Sequence, residues 1–107
     1  PTELLPAIAS IPAGKRVVIV DCLNMWVANL LSARNRDLPA EINDLCRQVK
    51  AKRWITLFVS NEVGLSLVPP NPAGRKFQEL LGNVNQTVAR AADEVILLIA
   101  GIPQKIK

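Results

Sequence analysis

The sequence predicts an α/β domain, a mostly parallel sheet flanked by helices with an antiparallel hairpin at its C-terminal edge. Three observations carry this expectation. Residues 17–20, 54–59 and 94–100 are short aliphatic runs with little polar alternation, the pattern of strands buried on both faces. Helical periodicity fills the stretches between them, giving the strand and helix alternation of a parallel sheet. The first two runs end in polar tips, Asp21 and Ser60-Asn61-Glu62, and the ligand sites of such sheets lie beyond the C-terminal strand ends.

Taken in order, residues 1–11 read as a loop entering a short helix at Pro6, whose fixed φ suits a first turn, and Pro12-Ala13-Gly14 ends it. Val17, Val18, Ile19 and Val20 form the first strand, which stops at Asp21. Leu23, Trp26, Val27, Leu30 and Leu31 recur at helical spacing and predict a helix over 23–33 with that stripe inward. A polar loop covers 34–38. Pro39 starts a second helix, with Glu41 in its first turn, Ile42, Leu45, Cys46 and Val49 on one face, and Lys50 and Lys52 at its basic end. The strand at 54–59 follows. After a loop containing Gly64 and Pro69-Pro70-Asn71-Pro72, the longest helix spans 73–92 with Phe77, Leu80, Leu81, Val84, Val88 and Ala91 inward. Gly82 interrupts it at a cost of about 1 kcal/mol relative to Ala, an arrangement expected where packing is close. A third strand covers 94–100, a turn 101–103, and residues 104–107 return as the antiparallel edge.

At 107 residues the chain is one domain, because two cores would each bury too little surface. Half of it is hydrophobic and only 4% aromatic, so the core is aliphatic and disorder is excluded. Thirteen basic residues against nine acidic ones give a net charge of +4. They are scattered rather than gathered with exposed aromatics, which argues against nucleic acid and for small phosphorylated ligands or plain solvation. Cys22 and Cys46 fall in apolar surroundings and read as buried thiols, not a disulfide. No apolar run is long enough for a membrane span, so the chain reads as soluble and cytoplasmic. Histidine is absent, which removes the commonest general base and metal ligand.

Asp21 closes a strand in the manner of a Walker-B carboxylate, which binds Mg²⁺ or fixes a polar ligand group; the same residue type also caps helices. Glu62 either touches ligand or ties down the loop carrying Val63 and Gly64, and Asn61 is either a site residue or a turn former. No Gly-x-x-x-x-Gly-Lys-Ser/Thr is present, and Gly14-Lys15 lacks both the earlier glycine and the following hydroxyl. The triphosphate cradle is therefore expected elsewhere, on a longer polypeptide or on another chain.

Several strings match one family. Val17-Val18-Ile19-Val20-Asp21-Cys22-Leu23 with Trp26, Asn29, Leu30 and Leu31, then Ser60-Asn61-Glu62-Val63-Gly64, Val68-Pro69 with Asn71, Gly82 with Asn85-Gln86, Ala91-Ala92-Asp93-Glu94-Val95, and Gly101-Ile102-Pro103 with Lys105-Ile106-Lys107 resemble the bifunctional adenosylcobinamide kinase and adenosylcobinamide-phosphate guanylyltransferase of cobalamin biosynthesis. The resemblance covers nearly the whole chain. It implies a three-layer P-loop NTPase-like (RecA-like) fold, of which residues 1–107 are the C-terminal part of a single nucleotide-binding domain lacking the N-terminal strand and P-loop. It implies phosphorylation of adenosylcobinamide and transfer of GMP from GTP through a guanylylated histidine, with GTP, ATP and Mg²⁺ as cofactors. That histidine has no counterpart here, so no catalytic residue is expected in this chain, which alone should be inactive. By the same resemblance Asp21 is the acidic nucleotide-binding residue, Glu3 is the glutamate preceding the first short helix, and the assembly is a homotrimer. The helix bearing Asn85 and Gln86 reads as scaffold and oligomer contact. A non-catalytic partner subunit that completes a site with a separate P-loop chain is the alternative, and a P-loop kinase fragment of other specificity is a third.

Overall fold

The structure, a computed structural model, describes residues 3–14, 17–32 and 36–107. In chain order the elements are α1 (Leu4–Ala9), β1 (Val17–Asp21), α2 (Leu23–Leu31), α3 (Leu38–Ala51), β2 (Ile55–Val59), α4 (Pro72–Ala91), β3 (Ile96–Ile99) and β4 (Ile102–Lys105). The two longest helices begin where the sequence supplies caps. Asp37 Oδ1 accepts from the Ala40 amide at 3.0 Å ahead of α3, and Asn71 Oδ1 accepts from the Gly74 amide at 2.6 Å ahead of α4. Each is followed by proline in the first turn, and Glu41 and Lys50 sit at the ends of α3 that the helix dipole favours. Ala33, the predicted end of the helix, and the predicted loop residues Arg34 and Asn35 lie outside the described residues.

β1 and β2 pair in parallel, from Val17 opposite Ile55 to Asp21 opposite Val59. One core joins this pair to all four helices: Val20 from β1, Ile8 from α1, Leu23, Trp26, Val27 and Leu30 from α2, Leu38, Ile42, Leu45 and Cys46 from α3, and Leu81, Val84 and Val88 from α4. Leu31, expected inward, is exposed at the end of α2. Trp54 lies just ahead of β2, with the Lys52 ammonium 5.2 Å above its ring.

The expectation of strands buried on both faces is wrong for this chain. Val17, Ile19, Ile55, Leu57 and Val59, the alternate residues of the parallel pair, are 43–62% exposed, while Val18, Val20, Thr56 and Phe58 turn toward the helices. Among the described residues the helices cover one face and nothing covers the other. The molecule measures 46 × 37 × 19 Å, and its short dimension admits one helix layer on one strand layer, since helices are about 10 Å across and layers pack about 10 Å apart. The described residues thus form two layers. The parallel sheet is also smaller than expected, because among the described residues β3 pairs with β4 and forms a separate two-stranded sheet.

The antiparallel hairpin at the C-terminus is present, with register from Ile96 opposite Lys105 to Ile99 opposite Ile102. Its turn residues Ala100 (φ 52°) and Gly101 (φ 78°) both take positive φ, the backbone of the tight turns that match strand twist. Strand pairing therefore resumes at Ile102, two residues earlier than the predicted return at Gln104.

Candidate functional site

Parallel pairing decides the geometry of the site. Because β1 and β2 run the same way and Asp21 lies opposite Val59, the Asp21 tip and the Ser60-Asn61-Glu62 tip leave the same end of the sheet, as the sequence predicted. Asp21 shares its exposed face with Val17 and Ile19, so it sits at the rim of the bare apolar face. Among the described residues no side-chain hydrogen bond or ion pair engages its carboxylate. The Asp21–Cys22 peptide is cis. On the other side of that bond, the Asn24 side-chain oxygen in the first turn of α2 is buried without a hydrogen-bond partner among the described residues. Nothing in the sequence pattern singled Asn24 out.

The second tip is held from behind. Glu62 Oε1 accepts from the Gly64 amide, so its carboxylate folds back on its own loop. Asn85 on α4 accepts from the Ser60 hydroxyl at 2.6 Å and donates to the Asn61 carbonyl at 2.9 Å. Gln78, two turns earlier, donates to the Val63 carbonyl at 2.9 Å and to Ser66 Oγ at 3.0 Å. Asn61 offers only its main chain to these contacts, and no side-chain bond engages its amide among the described residues.

Glu3 stands in a different setting. Its Oε1 accepts from Arg36 Nη1 at 3.0 Å, while Arg36 grips Glu41 of α3 through Nε and Nη2, both at 2.7 Å. Bonding to two carboxylates raises the affinity of the Arg36 guanidinium for its proton, with the Glu41 contact contributing most. What holds Glu3 is thus the start of α3 and not the strand-end rim. It keeps one carboxylate oxygen outside the pair, and its side chain is 65% exposed.

Other features lie away from the rim. A groove of about 300 Å³ between α3 and α4, floored by Ile42, Leu80 and Val84, is lined by none of Asp21, Glu3, Asn61 or Glu62. Both cysteines are free; Cys46 is buried, and burial pushes its thiol pKa up, whereas Cys22 is only half-buried. Among the described residues no three His, Cys, Asp or Glu side chains gather as a metal cluster, and no helix is long and apolar enough to cross a membrane.

Comparison with known proteins gives these residues a family. Residues 1–106 match the family described as cobinamide kinase / cobinamide phosphate guanyltransferase. Bifunctional adenosylcobalamin biosynthesis protein CobU of Salmonella typhimurium is 36% identical, over 84% of this chain and 58% of that protein. CobU of Escherichia coli is likewise 36% identical, over 85% of the chain and 58% of the relative. Bifunctional adenosylcobalamin biosynthesis protein CobP of Pseudomonas aeruginosa is 30% identical over 100% of the chain and 62% of its own length. The chain spans about three fifths of the curated relatives it matches. By a match that runs almost from end to end, the chain belongs to the cobinamide kinase / cobinamide phosphate guanyltransferase family.

Proposed function

We propose that this chain is the part of a bifunctional cobinamide kinase and guanylyltransferase that carries one wall of the nucleotide site, in an enzyme that phosphorylates adenosylcobinamide and transfers GMP to the product from GTP. The observation that supports it is the Asp21 carboxylate at the tip of a parallel strand, unengaged among the described residues, in a chain matched by that family over residues 1–106. Strand ends of open α/β sheets are where nucleotides sit. A bonded, satisfied carboxylate would have favoured a purely structural role.

In this reading Asp21 takes either Mg²⁺ or a polar edge of the nucleotide. A lone carboxylate fits Mg²⁺, which usually binds one or two protein carboxylates and completes its shell with phosphate oxygens and water. When bound, the ion neutralises charge on the transferring phosphoryl group. Asn61, beyond Val59, supplies an amide able to donate and accept at the same sheet end as Asp21. Glu3 supplies its outer carboxylate oxygen to the nucleotide, with Arg36 fixing the other. Glu62 acts from behind by holding the loop. The triphosphate cradle and the guanylylated histidine come from polypeptide outside these 107 residues, where the Gly-Lys-Ser/Thr signature absent here would lie. ATP as a second nucleotide, a homotrimeric assembly and a cytoplasmic setting belong to the same reading.

The bare sheet face favours a second form of this reading, in which the complementary wall is a separate chain. Mixing experiments decide between the two: a stable one-to-one complex that gains GTP binding identifies a separate chain.

Activity tests the proposal directly. The isolated chain incubated with GTP, Mg²⁺ and adenosylcobinamide is expected to give no phosphorylated or guanylylated product, and turnover would overturn the assignment of the cradle elsewhere. In the complete polypeptide, Asp21→Asn is expected to weaken GTP binding about tenfold, roughly 1.4 kcal/mol. Unchanged binding by isothermal titration would remove Asp21 from the site.

A further inference from the structure

We infer that Asn85 and Gln78 of α4 are positioning residues for the proposed nucleotide site: they fix the main chain of residues 60–66 so that Asn61 is held at the sheet end it shares with Asp21. The inference rests on the strand-tip reading given above and adds to it the device that makes the tip rigid.

Residues 78, 82 and 85 are spaced i, i+4 and i+7, so they form one stripe along α4. The loop after β2 lies along that stripe. Gln78 binds the Val63 carbonyl and Ser66 Oγ, and Asn85 binds Ser60 and the Asn61 carbonyl. Val63 faces Gly82 between them, its Cγ2 3.8 Å from where a β-carbon on Gly82 would stand. The Asn85 amide has one workable orientation. Its NH₂ must meet the Asn61 carbonyl, because reversal would set two carbonyl oxygens against each other. The helix thereby spends two side-chain amides on irregular main chain that surface loops ordinarily leave to water.

The outcome is an asymmetry at Asn61, whose main-chain oxygen is held by the scaffold while its side-chain amide carries no bond among the described residues. One strand over, at Asp21, a carboxylate is also unengaged. Groups kept free at a fixed position avoid the reorganisation that a mobile loop would require on binding a ligand or reaching a transition state.

The test uses the complete polypeptide. Asn85→Asp keeps an acceptor for Ser60 but turns an oxygen on the Asn61 carbonyl, Gln78→Ala releases Val63, and Gln86→Ala serves as the exposed control on the same helix. Thermal midpoint, amide exchange across 60–66, GTP affinity, and kcat and KM are measured for each. Asn85→Asp and Gln78→Ala are expected to speed exchange across 60–66 and to lower kcat about tenfold while KM for adenosylcobinamide stays near wild type. Gln86→Ala should change neither. Unaltered kcat with a loosened loop would overturn the inference, as would an equal kcat loss in the control. Should Asn85→Asp fail to fold, Ser60→Ala decides: a smaller kcat loss with the same exchange signature supports the clamp, and wild-type kcat with faster exchange refutes it. Asp21→Asn separates the two claims. If it leaves GTP affinity intact, the strand-tip reading falls; if it weakens affinity while Asn85→Asp leaves kcat untouched, only the positioning role falls.

Discussion

Gly82 shows how far a single residue can be read from sequence. Its place inside a helix predicted close packing, yet a β-carbon there would meet only Val63 Cγ2 at 3.8 Å, an ordinary contact. Gly82→Ala is therefore expected to raise stability by up to about 1 kcal/mol, the helix-propensity difference, measurable as a higher urea midpoint at unchanged slope. A drop in midpoint would mean that the loop over α4 cannot accommodate a methyl group. Gly74 is the opposite case. A β-carbon there would lie 2.7 Å from Pro69 Cβ and 3.1 Å from the capping Asn71 oxygen, so Gly74→Ala should destabilise by about 1–3 kcal/mol, as overpacking does. The place of Asp21 at a strand tip was legible because an aliphatic run ending in an acid is a local pattern. The pairing of Glu3 with Arg36 and the clamp by Asn85 were not, because each depends on which residues meet across 24 to 33 positions of sequence.

At the scale of elements, the helices were largely legible and the sheet only partly so. Periodicity located α2, α3 and α4 to within a residue or two at most ends, since a helix satisfies its own backbone. Strand partners cannot be found that way. The β3 run looks as apolar as β1 and β2, yet it pairs only with β4. What fixes the hairpin lies at its last residue: Lys107 Nζ donates to the carbonyls of Ala89 at 2.9 Å, Arg90 at 3.0 Å and Ala92 at 2.7 Å. Three protons thus meet three acceptors at the C-terminal end of α4, where carbonyls lack helical partners and the dipole favours a cation. Lys107→Met is expected to free the hairpin from the helix and accelerate amide exchange through β3 and β4 while α3 stays protected. Equal protection in both would show that other contacts hold the hairpin.

As a whole, the molecule has more surface than its mass warrants. Its accessible area is 7486 Å², about a quarter above the roughly 5,900 Å² expected of a folded monomer of this size. The radius of gyration, 14.4 Å, likewise exceeds the roughly 13 Å of a compact domain. Flatness explains both, and the apolar side of the parallel pair accounts for part of the excess. Aliphatic composition showed that a core would form, but composition does not reveal how many layers enclose it. In isolation the chain should self-associate as its concentration rises, with Ile19→Lys and Leu57→Lys restoring a monomer in sedimentation velocity. Monomeric wild-type chain at high concentration would mean that the face tolerates water.

That oily side also sets a race. A covering segment tethered to the same polypeptide reaches the plate at an effective concentration in the millimolar range for a short linker, whereas another free plate arrives at its bulk, micromolar concentration. Tethering would let completion outrun stacking by orders of magnitude, and a covering supplied by an independent subunit would need matching abundance or synthesis alongside its partner to win.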